Sequence, residues 1–172
     1  MLVDYSVDDD TLVTRKWHKE KIIIEKSGHN MEFVFDGYCG VYCGACPNIL
    51  ATLAGELEEE KQCHGCKSEN PTNYCKTCEI KACAINKSLD LCFQCAELST
   101  CGLFQKFVSD PIYPYGQCVE KNMMMIKEIS REKWLEAQDK RWRCKNCGTT
   151  HSWYEQSCPN CKKFVEDYKA DL

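Results

Sequence analysis

Cysteines in this chain come in close pairs, and that spacing constrains the fold more than any apolar pattern does. Cys43/Cys46, Cys63/Cys66, Cys75/Cys78, Cys92/Cys95, Cys144/Cys147 and Cys158/Cys161 are each separated by two residues, with Cys39, Cys83, Cys101 and Cys118 beside or between them. Sixteen cysteines in 172 residues approach the level at which cysteine, rather than apolar packing, defines a scaffold. Disulfides or metal is then a question of compartment. The opening MLVDYSVDDD carries acid where a secretory leader carries base, and no leader-like apolar core follows it. No run of about 18 apolar residues suggests a membrane span. The expectation is a cytoplasmic chain with reduced thiols, in which paired cysteines read as metal ligands.

The most complete pattern is WRCKNCGTTHSWYEQSCPNCKK, where Cys144 and Cys147 are followed, ten residues on, by Cys158 and Cys161. Two such turns facing each other set four sulfurs tetrahedrally at about 2.3 Å from a zinc ion, and four thiolates leave no position for water. The spacing predicts a structural zinc ribbon over 142–172. Gly148 and Pro159 ease its turns, HSWYE forms a strand, and His151 is a surface residue of that strand. Lys140, Arg141, Arg143, Lys145, Lys162 and Lys163 surround it against Asp139 and Glu155, with Trp142, Trp153 and Tyr154 interleaved. Such a mixture can form a nucleic-acid face. The preferred reading is that the basic residues offset an anionic thiolate centre and the tryptophans cover a small core.

CGVYCGACP places Cys39, Cys43 and Cys46 at C-x3-C-x2-C spacing, which in a long enzyme suggests a radical-initiating cluster. Here Ala45 stands where such motifs carry an aromatic residue, and no parallel βα repeat is present to hold the cofactor. The segment reads as a metal knuckle. The ordered series CGVYCGACP, CHGC, CEIKACA, CFQC and STC resembles the cysteine-rich prokaryotic family DUF3795 over about residues 37–108. That resemblance implies a zinc-binding domain and no reaction. Its matched positions are Cys39, Cys43, Cys46, Cys63, Cys66, Cys78, Cys83, Cys92, Cys95 and Cys101, with Cys75 and Cys118 outside the motif. The repeated pairs suit zinc, and the ferredoxin run C-x2-C-x2-C-x3-C-P does not occur. An iron–sulfur core with scattered ligands is the alternative. The preferred grouping joins Cys43/Cys46 to Cys63/Cys66, and Cys78/Cys83 to Cys92/Cys95. Cys39, Cys75 and Cys101 are further candidate ligands, and His64 would ligate or donate to a thiolate.

The expected architecture is a small metal-stabilised α+β chain. A β-hairpin arm occupies 1–36, with strands at 20–26 and 31–36 around a turn at 27–30, supplying Ile22, Ile24, Phe33 and Phe35 to the core. A cysteine-rich core with short helices spans 37–118. A helical connector covers 119–141, with a break and N-cap at Ser130 and a docking face of Met123, Met124, Met125 and Ile126. The ribbon completes the chain.

Net charge is −4, and each zinc held by four thiolates adds a further −2, a field adverse to polyanions. Neither an H-E-x-x-H motif, a phosphate loop nor a nucleophile triad appears. These features predict a non-enzymatic zinc protein with one ion in the ribbon, two or more in the core, and a recognition or scaffolding role toward another protein. The alternative is an iron–sulfur redox or metal-handling protein, and the least favoured reading is a nucleic-acid-binding ribbon protein.

Overall fold

The computed structural model describes residues 3–6, 12–18, 21–26 and 29–172. Four strands open it: β1 (Val3–Ser6), β2 (Leu12–His18), β3 (Lys21–Lys26) and β4 (His29–Phe33), each antiparallel to the next. The register sets Trp17 opposite Ile22 and Ile24 opposite Met31. This sheet has two strands more than the hairpin expected from sequence. VDYS and LVTRKWH are short and mixed in polarity, so pairing with neighbours, rather than their own pattern, makes them strands. His29 and Asn30, expected in the turn, pair within β4. Ser27 and Gly28 lie outside the described residues, as do the side chains of Ile22 and Ile24.

The second strand was expected to run to 36, yet β4 stops at Phe33. The next amide, Val34 N–H, donates to His64 O at 2.9 Å instead of to β3. The chain then turns inward, and Phe33 and Phe35 are buried.

Helices follow in short lengths set by local signals. α1 (Pro47–Ala54) starts on a proline, whose missing N–H has no partner to lose there, and Gly55 ends it at φ +74°. α2 (Asn73–Lys76), α3 (Glu79–Asn86) and α4 (Gly102–Val108) alternate with cysteine-bearing turns. α5 (Val119–Ile129) and α6 (Arg131–Arg141) are divided at Ser130, which has φ +81°. Its hydroxyl donates to Glu132 Oε2 at 2.8 Å and caps no backbone amide. On α5, Met123 and Ile126 are buried while Met124 is exposed, so the methionine run presents one face to the interior. Among the described residues no helix is long and apolar enough to cross a membrane.

One aromatic core ties these segments together. Tyr42 meets Phe35 and Trp134 edge-on, each with ring centres 6.0 Å away. Tyr115 stacks on Trp153 at 4.2 Å, and Trp153 Nε1 donates to Tyr42 O at 3.2 Å. Trp142 is fully buried in the same cluster. The two tryptophans therefore do not cover a small local core beside the C-terminal cysteines. They fasten that segment into the main one, because rings of this size gain most where they remove the largest area from water.

A buried charge network adds a second fastening. Asp36, fully buried, accepts from Lys67 Nζ at 2.6 Å and Arg131 Nη2 at 2.5 Å. Asp90 accepts from the same two cations at 2.8 Å each. Two carboxylates and two cations alternate, so each buried charge has an opposite neighbour. The network links the end of the sheet to the start of α6.

Candidate metal centres

The C-terminal site is built from one turn used twice. Cys144 N–H donates to Thr149 O at 2.9 Å and Gly148 N–H to Cys144 O at 2.8 Å. Cys158 N–H donates to Lys163 O at 2.8 Å and Lys162 N–H to Cys158 O at 3.1 Å. The residue after the second cysteine of each turn is left-handed, with φ +75° at Gly148 and +59° at Lys162. The strained position of the second turn is thus Lys162, not Pro159. The four Sγ atoms all lie within 4.8 Å of one another, with Cys144 and Cys161 3.6 Å apart and Cys147 and Cys158 3.5 Å apart. Sulfurs at about 2.3 Å from a common ion sit about 3.8 Å apart. The quartet is sized for one ion. Thr149 Oγ1 is 3.4 Å from Cys147 Sγ, and the Thr149 hydroxyl and amide hold this thiol down at about 6, favouring the thiolate that binds metal.

Two local expectations are corrected here. HSWYE is a turn, closed by Ser152 N–H to Glu155 Oε2 at 2.6 Å, and only isolated bridges (Arg143 with Thr150, Ser157 with Phe164) stand where ribbon strands were expected. His151 is buried, edge-on to Trp142 at 5.6 Å, with Nδ1 3.2 Å from Ser152 O. Burial lowers its pKa.

Seven cysteines line a groove of about 650 Å³: Cys39, Cys43, Cys46, Cys63, Cys66, Cys75 and Cys78. Backbone amides are aimed at several of their sulfurs. Cys43 accepts from the Cys66 amide, Cys46 from those of Asn48 and Ile49 at the start of α1, and Cys63 from those of Gly65 and Thr72. Burial nevertheless pushes Cys39 up to about 12 and Cys46 up to about 11. Thiolates here need a cation beside them. Cys75, set outside the motif in the reading from sequence, lines the same groove. Its hydrogen bond with Cys66 raises Cys66 and holds Cys75 down at about 6. Gly65 has φ +112°, and a Cβ on it would lie 1.9 Å from Val34 O. The CHGC knuckle rests directly on the backbone leaving β4, which only glycine allows. Phe107, Tyr113, Tyr115, Trp153 and Tyr154 also line the groove.

A second quartet surrounds a separate cavity of about 280 Å³ lined by Cys83, Cys92, Cys95 and Cys101. Cys83 lies on α3, and Cys101 immediately precedes α4. Cys78, grouped with Cys83, Cys92 and Cys95 from sequence, lines the larger groove, while Cys101 lines this cavity. Burial, with Cys101, Cys83, Cys95 and Cys78 as neighbours, pushes Cys92 up to about 11. Lys87 Nζ is 3.5 Å from Cys95 Sγ and pairs with Glu97. Sequence reasoning missed Lys87, although it lies one helical turn after Cys83. Among the described residues, the C-terminal quartet is the one group of three or more cysteine, histidine or acidic side chains whose ligand atoms all fall within 4.8 Å.

The other candidates are placed differently. The His64 ring packs on Phe33 at 4.7 Å, burial lowers its pKa, and its Nε2 finds no hydrogen-bond partner among the described residues. Cys118 is buried with Sγ donating to Tyr168 O at 3.6 Å. Around the C-terminal site, Arg141 pairs with Asp171 at 2.9 Å and Arg143 with Asp139 at 2.9 Å, while Trp142 and Trp153 face inward. Much of the basic, aromatic surface read from sequence is engaged in the protein's own contacts.

No curated protein and no solved structure matches this chain. Residues 35–106, which carry the groove cysteines and the second quartet, match the family described as Protein of unknown function (DUF3795).

Proposed function

We propose that this is a metal-organised binding protein with no catalytic role of its own. One zinc in the C-terminal quartet is structural, metal fills the thiol-lined part of the core, and the groove beside it receives an apolar segment of another protein. The observation that carries this reading is the make-up of the groove, which is lined by both thiols and aromatic rings. Tyr74 and Tyr113, with ring centres 4.7 Å apart, line it and are 48% and 37% exposed; next to Tyr113 in the chain, Ile112 is 75% exposed. Rings and an isoleucine held this way gain by burial against apolar side chains. A polyanion would meet the −4 net charge plus that of the thiolate sites.

The test uses the full-length protein purified from its native cells. The Tyr74→Ala/Tyr113→Ala variant is expected to keep its metal content and circular dichroism while losing at least about tenfold in affinity for the co-purifying protein. Retention of that protein at wild-type affinity overturns the reading. A second reading, an iron–sulfur redox or metal-handling protein, is supported by the cavity among Cys83, Cys92, Cys95 and Cys101.

A further inference from the structure

The molecule contains two four-cysteine sets whose sulfurs are spread differently. In the C-terminal set the sulfurs close on each other at 3.5 and 3.6 Å. In the other, four cysteines surround a cavity of about 280 Å³, and no three of their sulfurs fall within 4.8 Å of one another. We propose that Cys83, Cys92, Cys95 and Cys101 hold a [4Fe–4S] cluster rather than a single zinc ion. The inference rests on reading the core as metal-binding and goes beyond it in naming the metal.

The argument is one of size. A single ion draws four thiolates to about 3.8 Å from one another and leaves no void between them. A metal–sulfide cube binds each thiolate to a different iron, so the four cysteine sulfurs splay outward to about 6 Å apart. The second set is spread beyond the first geometry and lines an open cavity with room for the second. Its ligands come from separate elements: Cys83 lies on α3, and Cys101 immediately precedes α4. The chain spacing, with eight, two and five intervening residues, differs from the ferredoxin run and is no obstacle, since four cysteines in various spacings serve such clusters. The Lys87 ammonium, 3.5 Å from Cys95 Sγ and paired with Glu97, sets a cation beside that sulfur.

The test is anaerobic purification of the full chain and reconstitution with ferrous iron and sulfide, followed by iron, sulfide and zinc analysis and Mössbauer spectroscopy. The expected wild-type protein is brown. Cys101→Ser lowers iron by about four per chain and leaves the C-terminal zinc in place, whereas Cys158→Ser lowers zinc by one and leaves the iron. Lys87→Met keeps the iron and shifts the cluster's midpoint potential downward, a change that a bound zinc ion has no means to show. A colourless wild-type protein with zinc in the core overturns this inference and leaves the proposed function standing. A core that binds neither metal overturns both. If Cys101→Ser fails to fold, the wild-type Mössbauer spectrum still decides, because absence of a cubane signal refutes the assignment.

Discussion

The C-terminal module and the second core quartet use the same ligand over nearly the same length of chain, 144–161 against 83–101, yet their sulfurs are arranged differently. Chain separation is therefore not the cause. In the module, backbone hydrogen bonds fold each cysteine pair into the same turn, and the two turns bring their sulfurs together with little help from elsewhere. In the core, Cys83 is carried by α3, Cys92 and Cys95 by a short turn and Cys101 by the residue before α4, so tertiary packing decides where each sulfur stands. Local turns gather the sulfurs of one set, and the packing of distant segments spaces those of the other.

The largest expected effect tests that contrast directly. Cys158→Ser leaves three ligands at the module, where structural zinc is worth about 10–16 kcal/mol of apparent binding free energy. The expected outcome is loss of one zinc and rapid amide exchange in 142–172, with the core's metal content unchanged. Zinc retained at wild-type affinity would erase the distinction between the two sets.

Asp36→Ala probes the opposite side, where the fold positions the ligands. It leaves Lys67 and Arg131 buried with one carboxylate fewer, a change that costs about 3–5 kcal/mol. Urea unfolding is expected to shift accordingly, while a fully loaded module keeps its zinc. A shift within error of zero would show that the network does not hold the core.

Trp153→Ala separates docking from metal binding. Removing this ring opens a cavity against Tyr115 and costs about 3 kcal/mol, yet the module should still titrate with one equivalent of Co²⁺ and give a tetrahedral thiolate spectrum. Failure to bind would mean that the turns do not form the site unaided. The smallest effect is at Lys162, whose φ of +59° is strained for a side chain. Lys162→Gly is expected to stabilise the module by about 1 kcal/mol, read as slower zinc release to a chelator. Faster release would remove the equivalence drawn between this position and Gly148.

The features readable from sequence are those set by neighbouring residues. The pairing of Cys144, Cys147, Cys158 and Cys161 was legible because two turns suffice to define it, and the start and stop of α1 because Pro47 and Gly55 punctuate it. The burial of His151 was not legible, since it depends on Trp142 taking its place in a distant core. The role of Asp36 was equally hidden, because its partners Lys67 and Arg131 lie far along the chain and any surface acid looks the same in sequence. The placing of Cys78 on the larger groove and Cys101 on the smaller cavity has the same origin. Candidate ligands were evident, but which cavity each one faces depends on how α3 and α4 pack.

The hydrogen bond from Trp153 to Tyr42 spans 111 residues, and it has a consequence for how the protein is made. At a synthesis rate of about 5–20 residues per second, roughly 5–20 s separate the appearance of Tyr42 from that of Trp153. Throughout that interval the nascent core lacks the ring that stacks on Tyr115, and the groove lacks the part that Trp153 and Tyr154 supply. The cysteines of the groove are thus translated before its last wall exists. The arrival of the last segment completes the groove's aromatic wall.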